Sequence, residues 1–340
     1  MFHARRIVTA TVLFWLLESG VLCLPAAGRD VKLVLHPQKA STEVGKLSLL
    51  SLDSAMIDGD AVPLYEKAVK ALPDKAGDKQ IQEWLNMPIA QLPVDEVEQA
   101  LMQYTESLKS VTQAVKCRQC NWPAWKPGTQ VPETEGYRRL AFAIRLWARL
   151  EIAQDGYDGA ILALQTGAGM ARQHAQAPTL LQVQVGIAMA AITCRELEEF
   201  IQRQDAPNLY LALENLPKPF ADVERAIQIE TKAAASRMFS EQYESVLKPA
   251  HDRTRVLAKR LDRDLAILRC VEAIRSYAAT HNGQLPKALA EIAEVSVPAD
   301  PLHDGSFQYA LRGSTAVLES APPVGGSDRE AIRYEISVKN

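Results

Sequence analysis

The sequence predicts a mainly α protein: a helical bundle followed by a small C-terminal α+β module. Three observations lead there. Apolar residues recur at spacings of three and four over long stretches between residues 62 and 280, the period of amphipathic helices. Beyond residue 305 the apolar runs become short, alternating and β-branched, as strands are. Proline and glycine clusters fall between these stretches rather than inside most of them.

Arg5 and Arg6 precede an apolar run, Ile7 to Leu17, and small residues follow at Ala26, Ala27 and Gly28. That is the layout of a secretory signal peptide, so residues 1–28 are read as a leader cleaved after Ala27 or Gly28. Glu18 holds the continuous apolar segment to eleven residues, too few for a helix crossing a core of about 30 Å. The alternative is an uncleaved inner-membrane anchor over residues 7–24, which would place Glu18 in hydrocarbon. Cys23 follows Leu22, where a lipoprotein signal needs a small residue.

The chain has 47% hydrophobic and 23% charged residues and a formal net charge of −3. This is the composition of a folded domain rather than a disordered tail. Removing residues 1–28 takes away Arg5, Arg6 and Glu18 and makes the balance slightly more acidic. Nucleic acid is therefore not an expected partner.

Residues 29–60 show little periodicity and read as an irregular lead-in, and the bundle is placed over 61–250. Its first helix is expected from Val62 to Leu72, with Pro63 in the first turn and Pro73 beyond the end. After Pro93 a single helix is expected, because Val94, Val97, Leu101, Tyr104, Leu108, Val111 and Val115 form a heptad-like seam. Asp95, Glu96 and Glu98 at its start and Lys116 and Arg118 at its end complement the helix dipole. The stretch from Cys117 to Pro132 reads as a loop.

Helical periodicity resumes at Tyr137 and breaks at Gln154-Asp155-Gly156, predicting a helical hairpin. A helix over about 178–202 carries Gly186 in its middle, which suggests close approach to a neighbour. Asn208 to Leu216 reads as a short helical turn, Ala221 to Leu247 as a helix ending before Pro249, and Asp252 to Thr280 as the last long helix, stopped by His281-Asn282-Gly283. A short helix near 287–292 leads to three strands, Phe307 to Leu311, Ala316 to Ser320 and Ile332 to Val338. Residues 251–340 form the α+β module in this reading.

Two stretches resemble known families. Leu150, Ala153, Gly156, Tyr157, Ala160 and Leu164 resemble the middle of one tetratricopeptide repeat. No second copy lies 34 residues away, so the stacked groove of such arrays does not carry over. Over the last ~70 residues, Ala273, Ile274 and Tyr277, Asn282-Gly283-x-Leu285-Pro286, Leu289, Val297-Pro298-x-Asp300-Pro301, Gly305, Phe307 and Tyr309 resemble the C-terminal part of a G-type pseudopilin of type II secretion. The resemblance implies a helix packed on a small antiparallel sheet. That family's processing signal is missing here, and its calcium loop would fall at Gly325-Gly326-Ser327-Asp328, where only Asp328 is acidic, so no calcium is expected. The rest of the chain, on the stretch from Trp122 through Pro217 with Ala206-Pro207-Asn208-Leu209-Tyr210, resembles secreted bacterial helical proteins of unknown function.

For chemistry, Cys117-Arg118-Gln119-Cys120 has the spacing of a redox pair, yet no thioredoxin-like βαβ pattern surrounds it and Asn121 excludes haem attachment. The expectation is a local disulfide between Cys117 and Cys120, or pairing with Cys194 or Cys270. Ser245-x-x-Lys248 has the spacing of a penicillin-recognising nucleophile but lacks its companion motifs. Glu224, Glu230 and Glu244 lack the Glu-x-x-His of di-iron bundles and read as a solvated face. His36, His174, His251, His281 and His303 form no metal motif. No catalytic residue, cofactor or metal is therefore predicted. The expected role is a non-catalytic periplasmic or envelope protein holding protein partners. The alternatives are a component or relative of a type II secretion or pilus system, and an enzyme with a site between helices.

Overall fold

The computed structural model describes residues 29–41, 47–123, 134–235 and 240–339, and no side chains between 233 and 247. The leader, with its alternative anchor at 7–24, lies outside the described residues, as do residues 124–132 of the expected loop and the side chains of Glu244 and Ser245. The architecture is mainly α, with a short-stranded sheet at the C-terminal end.

The chain opens with strand β1, Arg29–Leu35, and then β2, Ile57–Asp60. Helices α1, Ala61–Lys70; α2, Asp78–Asn86; α3, Val94–Met102; and α4, Thr105–Ala114 follow, before the short strand β3, Cys117–Gln119. The centre is α5, Glu135–Ala153; α6, Tyr157–His174; and α7, Leu180–Ile201. The short α8, Tyr210–Glu214, leads to α9, Val223–Ala235, and α10, Ser240–Thr280. Five strands close the chain: β4, Ala299–Asp300; β5, Gly305–Ser306; β6, Gln308–Arg312; β7, Thr315–Ser320; and β8, Ile332–Val338.

Several expectations hold for local reasons. Asp60 caps α1 by accepting the Val62 N–H. The α5–α6 hairpin turns at Asp155, whose φ of 55° lies in the left-handed region. In α7, a Cβ on Gly186 would lie 2.4 Å from the Ala175 nitrogen, the close approach its position suggested. α10 ends where Asn282 and Gly283 take φ of 52° and 77°. The three C-terminal strands form an antiparallel meander.

Four expectations are corrected. The seam after Pro93 is two helices, because the stripe serves two cores. Val97, Leu101 and Tyr104 join a smaller core with Ile81, Trp84 and Leu85 of α2 on one side of α5, whereas Val111 and Ala114 join the main one. Pro249 lies inside α10 rather than ending a helix. Ala250, Leu257 and Leu261 beyond it pack on the main core, offsetting the backbone hydrogen bond that proline removes. The residues after Cys117 begin as a strand, with Cys117 and Gln119 paired to Ile57 and Asp60.

The fourth correction concerns both ends of the chain. Residues 29–35 are not an irregular lead-in: β1 runs parallel to β8, Arg29 beside Ile332 through Leu35 beside Val338, and completes a sheet of order β1-β8-β7-β6. Period two decides the register, since Leu33 and Leu35 are buried while Val34 between them is exposed. The sheet's inner face, including Leu318, Tyr334 and Ile336, belongs to the same core as Phe200 of α7 and Val271 of α10. The α+β region is thus continuous with the bundle and does not begin at residue 251.

Two buried ion-pair networks lock this arrangement. Arg275 and Glu272, both fully buried on α10, face each other at 3.4 Å. Arg275 also donates to the carbonyls of His36 at 2.8 Å and Ala206 at 2.5 Å, while Glu272 accepts the Leu209 N–H at 2.9 Å. Near the sheet, Glu198 of α7 accepts from both Arg29 of β1 and the Tyr334 hydroxyl of β8. One carboxylate therefore ties the first strand, the last strand and the central helix together.

Candidate functional site

The candidate site is a cleft of about 490 Å³ where the β2–β3 pair meets the C-terminal end of α6 and the first turns of α9. It is built around the Cys-x-x-Cys stretch. Asp60 does two jobs here: besides capping α1, its carboxylate accepts the Asn121 N–H at 2.9 Å, which fixes the chain just after Cys120. Burial alone would raise the Asp60 pKa, but those N–H donors outweigh it and lower it, keeping the cap ionised.

Trp122 comes next and forms one wall. Its indole N–H donates to the Gln173 carbonyl at 2.9 Å, and its ring lies parallel to Tyr65 at 5.9 Å between centroids. The Tyr65 hydroxyl in turn donates to the Gln173 side-chain oxygen at 2.5 Å. Behind Trp122 lies His174, with ring centroids 4.5 Å apart, and Tyr137 meets His174 edge-on at the same distance. The His174 Nδ1 pairs with the Met170 carbonyl at 2.9 Å, so Nδ1 carries the proton and Nε2 is left without a partner among the described residues. Burial lowers this imidazole to about 4, against the opposing pull of the Met170 carbonyl. It is neutral at neutral pH and packs behind the wall rather than lining the cleft.

The two sequence-predicted cysteines are brought to this cleft, and both are thiols in the structure. Burial, with Asp60 nearby, pushes the Cys117 thiol up and the Cys120 thiol up to about 12. A nucleophilic or redox-active cysteine needs the opposite shift. Cys194 and Cys270 lie elsewhere, buried in the main core.

Charge is distributed unevenly. The cleft is lined by Arg118, Arg172 and Arg225, with no Asp or Glu among its described lining residues. Arg172 donates to the Phe220 carbonyl and stacks over the Phe220 ring. Arg118 faces the fully exposed Asp58 at 3.5 Å. Arg225, exposed in the first turn of α9, makes no ion pair with a described residue.

The other candidates do not assemble. Glu224 is paired with Arg255 at 2.7 Å, exposed as expected, but Glu230 departs from a solvated face: it accepts the Leu180 N–H at 2.7 Å and caps α7. Burial raises its pKa. Asp328 sits in a 3-10 turn closed by a Ser327–Glu330 capping box. Among the described residues, no three His, Cys, Asp or Glu side chains are grouped to hold a metal. The cavity among α5, α6 and α7 is about 20 Å³, room for one water.

Sequence reasoning singled out Cys117 and Cys120 but missed Tyr65, Trp122, Arg172, Gln173 and Arg225. Four of those five lie on three different helices, and nothing local distinguishes them from ordinary helical side chains. Comparison with family models, curated proteins and solved structures finds no match for this chain.

Proposed function

We propose that this is an exported protein of the bacterial periplasm or cell envelope that holds a protein partner and catalyses nothing. The observation that carries the reading is the chemical state of the cleft. Burial drives its thiols up and the imidazole packed behind Trp122 down, all towards neutrality, while its arginines and Trp122 supply binding groups. An active site shifts such groups towards reactivity near neutral pH. In an oxidising compartment a local Cys117–Cys120 disulfide would require the β3 backbone to bend, since residues three apart along a strand lie about 10 Å apart.

Export is tested by fractionation and intact mass: a chain in the envelope or periplasm starting near residue 28 is expected, and a cytoplasmic chain retaining Met1 would overturn it. An envelope-fraction chain retaining Met1 would favour the anchor over 7–24. Two mass units gained on reduction, with the cross-link mapped by digestion to Cys117 and Cys120, would establish the disulfide. Partner holding is tested by cross-linking the tagged full chain in envelope fractions. A stoichiometric partner is expected, and a chain that elutes alone under every condition would sink the reading.

A second reading, membership of a type II secretion or pilus system, draws on α10 followed by the β6–β8 meander, the order its resemblance implies. Secretion or pilus components among the cross-linked partners are its test. Deleting 252–340 would not serve, because those residues share the main core.

A further inference from the structure

We propose that the cleft beside Trp122 receives an acidic segment of the partner protein, carboxylates flanked by a large apolar side chain. The inference rests on the reading of this chain as an interaction protein and specifies the chemistry of its site.

Charge complementarity is the first argument. The chain as a whole is acidic, with a net charge of −3, yet the described lining of this cleft reverses that sign. The three guanidiniums stand on three different elements, β3, α6 and α9. One carboxylate cannot satisfy three forks so placed, whereas a run of carboxylates along an extended segment can.

Availability is the second. Arg225 has no competing ion pair among the described residues, and Arg118 has the fully exposed Asp58 carboxylate and the Asp53 carbonyl at 3.2 Å to give up. Arg172 is already positioned by the Phe220 carbonyl and ring and feels Asp222 and Asp262, so it needs little ordering but gives an incoming anion less than Arg118 and Arg225 do.

Shape is the third. Met56, Val115, Ile229 and Trp122 give the cleft an apolar side next to its cationic one, and the indole is held in place by the Gln173 carbonyl and by Tyr65. At about 490 Å³ it takes a few side chains rather than a folded surface. The Gln176 amide on the lining can both donate to and accept from a passing peptide backbone.

The test uses the full chain and a fluorescein-labelled peptide alternating Glu with Phe and Leu, with its Glu-to-Lys counterpart as control. Anisotropy should show saturable binding of the acidic peptide only, weakened by salt, and weakened roughly tenfold or more by Arg225→Glu. Arg225 is exposed, so that variant should keep the wild-type unfolding transition; Trp122→Phe, which retains a ring, should bind within a few-fold of wild type. Equal binding of the Lys peptide, or no effect of Arg225→Glu, would overturn the proposal. So would displacement of the peptide by phenylacetate or inorganic phosphate at matching affinity, since either would make this a small-anion site. If Arg225→Glu retains the envelope partner at the wild-type level, the cleft assignment fails while the interaction role stands. If the wild-type chain binds the acidic peptide but holds no envelope partner, the role fails and the cleft chemistry stands.

Discussion

Arg275 and Arg225 are the same residue type in opposite circumstances. Arg275 is fully buried and spends its donors on Glu272 and on the carbonyls of His36 and Ala206. Arg225 is exposed at the cleft mouth with no ion pair to a described residue. A guanidinium whose donors are consumed inside the fold contributes to structure; one left with its donors uncommitted beside an aromatic wall is available to a ligand. The same contrast separates the two regions: the α10 lock is closed on itself, and the cleft keeps cationic donors facing outwards.

The largest expected effect comes from breaking the closed region. Arg275→Ala leaves the Glu272 carboxylate buried without its counter-charge and removes the tether between α10, residue 36 and residue 206. A loss of about 3–5 kcal/mol is expected, read as a lowered urea midpoint with unchanged slope. Arg275→Lys should recover little of it, because a point charge cannot span two carbonyls and a carboxylate. A variant within ~1 kcal/mol of wild type would show that the lock is not structural.

The next effect tests whether the imidazole packed behind the cleft wall is neutral. The His174 imidazole lies near 6.5 in the unfolded chain and about 4 in the folded one, so the folded form binds fewer protons between those values. Its contribution is full above pH 6.5 and is lost as pH falls to about 4, on the order of 3 kcal/mol. Glu198, Glu230, Glu272 and Asp262 work the other way, since burial raises each of them and the folded form then binds more protons. The measurement is therefore a difference: urea stability against pH for wild type and for His174→Gln. The two curves should diverge between pH 6.5 and 4, the wild type falling more steeply; parallel curves would place the His174 proton elsewhere.

How much of this could be read from the chain depended on how far apart the interacting residues lie. The α5–α6 hairpin was legible because its turn, Gln154-Asp155-Gly156, interrupts two stripes locally. The meander was legible from alternation alone. β1 was not, because its partner strand lies some three hundred residues away and seven residues carry too short a pattern to stand out. The split between α3 and α4 was hidden by a continuous stripe that feeds two cores, a fact of packing rather than of period. The cleft divides similarly: Cys117, Cys120 and Trp122 share one stretch of sequence, but Tyr65, Gln173 and Arg225 arrive from elements read separately.

A smaller effect concerns the thiols of the open region. In the reduced chain, with the Cys120 thiol pushed up to about 12, its thiolate fraction at pH 8 is roughly three orders of magnitude below that of a free cysteine. Iodoacetamide should label it slowly, with a rate rising about tenfold per pH unit. Rapid labelling at pH 7 would mean that the wall is reactive, and the distinction between a binding cleft and a catalytic one would fall with it.

The smallest expected effect is the one that bears most directly on the contrast between the two arginines. Arg225→Ala removes a side chain with no ion pair among the described residues, so stability should change by no more than about 0.5 kcal/mol. Set beside Arg275→Ala, the same substitution then costs several-fold more in the closed region than in the open one. Binding should invert that order, with Arg225→Ala weakening the acidic peptide while leaving the unfolding midpoint where it was. If Arg225→Ala lowers the midpoint as much as Arg275→Ala does, its guanidinium is committed to the fold, and the open cleft is a second lock.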